Sequence, residues 1–171
     1  MERIQEILNS SSKHKAKVTL IVTISKNDPK MVREIIHLLE SGTDLDRGTS
    51  AEILKRISKS NPKLVEKYID TLIQYIDYKV PQVKREIRAT IGNLAEEYPD
   101  VAAKAISKLL DNTEDENNEI RRSTAYALTE IAKNNPSTRK KLIPIFDELI
   151  EKEINSGIRT IYIRTLKDLN K

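Results

Sequence analysis

Two histidines, His14 and His37, are the only side chains here whose ordinary titration falls near neutrality, and no cysteine is present to join them. A hydrolytic or metal centre needs convergent groups: a base with its nucleophile, or several nitrogen, sulfur or carboxylate ligands. His37 lies eight residues after Pro29, on the helix face opposite the apolar positions, and reads as a solvated surface residue. The four glycines form no Gly-x-Ser-x-Gly elbow, phosphate-binding loop or dinucleotide fingerprint. The expectation is a protein that is not an enzyme, with no catalytic residue, metal site or cofactor.

Charge offers more than nucleophiles do. The stretch "DNTEDENNE" carries Asp111, Glu114, Asp115, Glu116 and Glu119 but lacks the spacing and turn glycine of a calcium loop. It reads as a solvated linker that can also meet a basic partner. Lys67, Lys104 and Lys141 recur at equal intervals (104 − 67 = 37, 141 − 104 = 37), with Glu34 a further 33 residues earlier (67 − 34 = 33) and Lys63, Lys108 and Lys140 nearby. Stacked at a regular spacing, such lysines would form an electrostatic strip for an acidic protein or a nucleic-acid backbone. The plainer reading is that a lysine-rich chain exposes lysine wherever its core is not, and Glu66, Asp70 and Glu148 dilute the strip.

The same interval separates the elements that must hold those lysines. Pro29, Pro62, Pro99 and Pro136 are spaced 33, 37 and 37 (62 − 29, 99 − 62, 136 − 99). Apolar residues recur at fixed offsets from each. Five before the proline stand Ile24, Ile57, Leu94 and Ile131; eight before, Ile21, Leu54, Ile91 and Leu128. Seven after stand Ile36, Ile69, Ile106 and Ile143; ten after, Leu39, Leu72, Leu109 and Phe146. Offsets of three within a segment belong to one helix face. Each unit is therefore a helix, a proline junction and a second helix.

Proline suits that junction because it lacks an N–H and fixes φ, which fits a helix's first turn and disrupts an interior. Asp28, Asn61 and Asn135 precede three of the prolines and can cap the next helix. Tyr98 cannot, so Asp100 in the first turn is expected to compensate. The first helices are predicted over 15–26, 49–59, 82–97 and 118–133, and the second over 30–40, 63–77, 100–110 and 137–152. One domain, 1–171, then comprises units at about 13–41, 49–78, 82–112 and 118–153, with a half unit at 156–171 and a short packing helix at the N-terminus.

Arg88 stands eleven residues before its proline, in a column otherwise filled by Val18, Ala51 and Ala125. A charge on a packed face snorkels or pairs, so a carboxylate of the adjacent acidic linker or helix is its expected partner. A ligand-contacting arginine is the alternative.

"VKREIRATIGNLA" (83–95) and "IRRSTAYALTEIA" (120–132) resemble the first helix of HEAT-type repeats, with an aliphatic residue, a basic one, then small residues and a Leu/Ile pair. The pattern is moderate in the second unit and poor in the first, where "KVTLIVTI" lacks the basic residue. Tetratricopeptide and ankyrin arrays fit less well, since there is no Trp and no Thr-Pro-Leu-His. The resemblance to HEAT or armadillo arrays implies an all-α fold, a right-handed α-α superhelix of about four helix pairs plus terminal helices. It also implies that the second helices, with the lysine row, line a concave partner-binding surface, which makes Lys63, Lys67, Lys104, Lys140 and Lys141 candidate binding residues, joined by Arg88 on its alternative, ligand-contacting reading.

Composition narrows the partner only slightly. The net charge of +4 (30 basic minus 26 acidic) permits an anionic partner without requiring one. The N-terminal stretch has no signal-peptide core, and "VTLIVTI" is too short to span a bilayer, so a cytoplasmic protein without membrane contact is expected. A non-enzymatic protein-interaction scaffold is the leading expectation, and a phosphate-backbone-binding module the alternative. With no Trp and one Phe, the chain has few aromatics for stacking on bases. Ile158, Ile161, Ile163, Leu166 and Leu169 give the last helix more apolar surface than one packed stripe needs, which allows either burial on the fourth unit or self-association through 156–171.

Overall fold

The computed structural model describes residues 2–171. The expected helix pairs are present: α1 (Glu2–Asn9), α2 (His14–Ser25), α3 (Pro29–Ser41), α4 (Asp44–Ser60), α5 (Ile69–Gln74), α6 (Pro81–Leu94), α7 (Pro99–Ala103), α8 (Ile106–Leu110), α9 (Asn118–Asn134), α10 (Pro136–Lys152) and α11 (Ser156–Leu169). They stack as an all-α solenoid. All four junction prolines open a helical segment.

The junction residue decides how the second helix of each pair is built. Asp28 accepts a hydrogen bond from the Lys30 N–H and Asn135 one from the Thr138 N–H, and the helices they cap, α3 and α10, are continuous. Asn61 and Tyr98 make no such bond, and the segments that follow them are broken. After Pro62 the chain runs through 3-10 turns at Pro62–Leu64 and Glu66–Tyr68 before α5 begins. After Pro99 it stops at Ala103 and restarts at Ile106. Uncapped first-turn N–H groups are partly satisfied by the tighter i→i+3 bonds of such turns. The continuous helices expected over 63–77 and 100–110 are therefore each in pieces, and the cap expected from Asn61 is not made.

The second helix pair also starts earlier than its expected boundary at 49. Thr43 and Asp46 form a capping box, with the Thr43 Oγ accepting the Asp46 N–H at 3.2 Å and the Asp46 carboxylate accepting the Thr43 N–H at 2.9 Å. "DLDRG" thus belongs to α4 rather than to a linker. Gly48 does not break it: a Cβ there would stand 2.6 Å from the Gln82 side chain, so the glycine permits close packing onto α6.

The apolar columns form one continuous core. Ile21, Leu54, Ile91 and Leu128 are buried, as are Leu39, Leu72, Leu109 and Phe146. In α10 the buried face is Leu142, Phe146 and Leu149, so Ile143 sits at its margin. Most of α11 is covered: Ile158, Tyr162 and Thr165 are buried against α9 and α10, and the Tyr162 ring lies 5.3 Å from that of Phe146. Ile161, Leu166 and Leu169 pack partly against the same core. That leaves Ile163, 37% exposed, and Ile154, 86% exposed, as open apolar residues at this end. No helix of the described residues is long and apolar enough to cross a membrane.

Candidate functional site

The first helices pack side by side along much of their length, α4 on α6, α6 on α9 and α9 on α11. No successive pair among the second elements, α3, α5, α7–α8 and α10, packs with comparable closeness. The first helices α4, α6 and α9 therefore form one continuous face, while the second elements, two of them broken, stand further apart.

Across the C-terminal ends of α4, α6 and α9 runs a polar groove of about 110 Å³, with Ser58, Asn93, Glu96, Tyr126 and Glu130 in its lining. Asn93 holds it together. Its Nδ2 donates to the Lys55 carbonyl at 3.2 Å and to the Ser58 hydroxyl at 3.0 Å, and its Oδ1 accepts from the Tyr126 hydroxyl at 2.5 Å. Three helices are thereby joined through one amide. Tyr126 lies against α6 because position 92 is glycine: a Cβ there would come within 2.6 Å of the Tyr126 ring. Burial, with Glu130 and Glu96 adding negative potential, pushes the Tyr126 hydroxyl up to about 12, so it stays protonated and donating.

Three carboxylates, Glu96, Glu97 and Glu130, and one ammonium, Lys59, line the groove, so its charge is net negative. Glu96 and Glu97 follow the end of α6, and that helix has no basic residue in its last turn. Carboxylates at a helix C-terminus oppose the favourable direction of the macrodipole, so this placement does not serve the helix. Neither carboxylate has an ion-pair partner among the described residues. At the rim, Lys133 is held by Glu130 at 2.8 Å. The arrangement can accept a cation.

The residues singled out from sequence lie elsewhere. Lys63, Lys67, Lys104, Lys140 and Lys141 are all exposed, on the second elements of their units. The Lys67 ammonium sits 5.2 Å from the centre of the Tyr68 ring. Arg88 is wholly buried, and its Nη1 donates to the Ile76 carbonyl at 2.7 Å and to the Lys84 carbonyl at 3.1 Å. Its nearest carboxylate, Asp77, is 3.8 Å away, in the turn after α5 rather than in the acidic linker. Burial drives its pKa down from 12.5 to about 10, with Asp77 and Asp115 opposing that shift. His14 pairs at the surface with Glu52 at 2.8 Å, and His37 is exposed.

In the acidic linker, Asp115 accepts the Asn117 N–H at 2.9 Å and pairs with Lys84 at 3.2 Å. Among the described residues no three metal-ligating side chains come together. The groove residues escaped the sequence reading because Asn93 and Tyr126 occupy columns, six and ten before the proline, that change chemistry in every unit. The available signal was negative: these columns sit on a first-helix face that the apolar columns leave free.

No protein-family model matches this sequence, and no curated protein matches it. Solved structures do. A designed armadillo repeat protein, solved in complex with the peptide (KR)4, superposes with a TM-score of 0.69 at 16% identity, over 94% of this chain and 78% of that one. An engineered protein gives 0.73 at 16% identity, covering 98% and 78%. The CpcE–CpcF complex of phycocyanin lyase from Nostoc sp. gives 0.71 at 19% identity, covering 89% and 88%. The chain thus has the armadillo/HEAT-type repeat fold.

Proposed function

We propose that this protein is a non-catalytic scaffold that binds an extended, basic segment of another protein along the face formed by α4, α6 and α9. The observation that carries this reading is the acidic groove at the C-terminal ends of those helices, where Glu96 and Glu97 are unpaired and α6 supplies no cation of its own. A lysine or arginine of the segment enters beside Glu96 and Glu130, and the Tyr126–Asn93 pair keeps the walls rigid. Support also comes from the armadillo design solved with an alternating Lys/Arg peptide and from the two-chain CpcE–CpcF assembly. Convergent catalytic groups are lacking among the described side chains.

The test is fluorescence anisotropy with a labelled (KR)4 peptide at low and moderate salt. Wild-type protein is expected to bind, and Glu96→Lys combined with Glu130→Lys to weaken binding at least tenfold, with Tm unchanged because neither carboxylate supports the core. Lys104→Glu, on the other layer, separates this reading from one based on the lysine row: it leaves peptide binding intact or slightly improves it. If Lys104→Glu instead abolishes binding to an acidic protein or to a DNA duplex that the wild type binds, the lysine strip is the site and the groove is not.

A further inference from the structure

A second cleft, of about 550 Å³, opens at the linker edge of the solenoid, between the 113–116 loop, the start of α9 and the α10–α11 turn. Its floor is unusual. Tyr162 is 2% exposed and forms part of the lining, and its hydroxyl makes no hydrogen bond among the described residues. The hydroxyl is not among the fully buried polar atoms, so what little of this side chain solvent reaches includes a polar group available to a ligand. The walls are Leu149, 7% exposed, and Ile154, 86% exposed, which takes no part in the core. Clefts of this size with apolar walls and a few converging polar groups are the usual form of a binding site.

The charges around it select the occupant. Arg121 cannot serve as an anion anchor, because its guanidinium is already spent. It pairs with the Glu153 carboxylate at 3.0 and 3.1 Å and donates to the Asp115 carbonyl at 2.8 Å. Asp115 is taken by Lys84 and the Asn117 N–H. Lys152 reaches only Glu114, at 3.4 Å, with both side chains more than half exposed, a contact weak enough to exchange. The Glu116 carbonyl accepts from Arg121, but its carboxylate has no partner among the described residues. The one charge left unpaired on the rim is therefore negative, beside an apolar wall and a free hydroxyl.

We infer that this cleft is a docking site, separate from the Asn93–Tyr126 groove, for a partner segment that places a lysine or arginine next to a large apolar residue. The apolar residue lies on Leu149 and Ile154, the cation meets Glu114 and Glu116, and a backbone group of the segment hydrogen-bonds the Tyr162 hydroxyl.

The probe is the tetrapeptide acetyl-Gly-Leu-Arg-Gly-amide, titrated into labelled full-length protein and followed by amide NMR shifts. Saturable shifts are expected at residues 113–116, 149, 154 and 162. They are expected to vanish with the Leu→Ser or Arg→Glu peptide and with Glu114→Lys plus Glu116→Lys in the protein. Tyr162→Phe removes only an unpartnered hydroxyl, so it should weaken binding about two- to tenfold while leaving Tm in place or raising it. Shifts confined to the Asn93–Tyr126 groove, or equal binding of the Arg→Glu peptide, overturn the assignment. So does self-association of the peptide-free protein that Ile154→Lys reverses in sedimentation velocity, since a second copy then fills the cleft.

Discussion

Arg88 fills a column where the other units place Val18, Ala51 and Ala125, and its burial is complete. Its Nη1 ties the turn after α5 to α6 through the Ile76 carbonyl, but Nε and Nη2 make no hydrogen bond. The folded-state pKa of about 10 lies below the ordinary 12.5. Holding the charged form therefore costs stability at any pH below about 10, and the cost fades as pH rises past it. Volume, rather than charge, is what this position supplies. Arg88→Met is expected to be neutral or to stabilise by about 1 kcal/mol. Arg88→Ala, which empties the site, should lose about 2–4 kcal/mol in urea unfolding. If Met proves as damaging as Ala, the guanidinium itself is required. The sequence identified Arg88 as anomalous and expected a carboxylate partner, but a backbone carbonyl cannot be read from side-chain types. A second arginine role was missed for the same reason. Fifteen before each proline stand His14, Arg47, Lys84 and Arg121, all basic or titratable. Arg47 donates to the Leu39 and Glu40 carbonyls at 2.9 Å, closing the C-terminal end of α3, and Arg121 does the like for the 115–116 loop. These side chains hold one unit to the next.

At the scale of elements, the proline column located the junction inside every pair, and the columns eight before and ten after it located buried residues in every unit. Both signals come from groups that the fold must bury or exclude from a helix interior, so they recur in all units. What they do not encode is the continuity of the second helices. That depends on whether one side chain before the proline caps, and Asn61 and Asn135, chemically identical, behave differently. Nor do they encode the fit of α9 against α6 at Gly92. Alanine ordinarily favours a helix over glycine by about 1 kcal/mol. Here its Cβ would meet the Tyr126 ring at 2.6 Å and the Ala127 Cα at 3.2 Å. Gly92→Ala is expected to destabilise by about 1–3 kcal/mol, the cost of overpacking. In a double-mutant cycle by thermal unfolding, Tyr126→Ala should recover most of that loss. Additive effects would mean that α6 and α9 have room to separate.

For the whole molecule, the two layers divide the work. The close-packed first helices form a continuous face with an acidic groove, and the second elements present lysines to solvent. Fold class and repeat number were legible in the sequence, because periodic burial sets them. The close stacking of the first helices on one another was not, because it follows from how long and broken helices pack. The central claim, that a protein partner lies on the first-helix face, is tested most directly by site-specific photocrosslinking in native lysate, with and without nuclease. A photoreactive residue at Lys59, on the groove rim, is compared with one at Lys104 and one at Lys141 on the second layer. A discrete protein adduct from position 59 that survives nuclease, is lost with excess (KR)4 peptide and is absent from positions 104 and 141 is the predicted result. Adducts from 104 and 141 with none from 59, or adducts that nuclease removes, would contradict it.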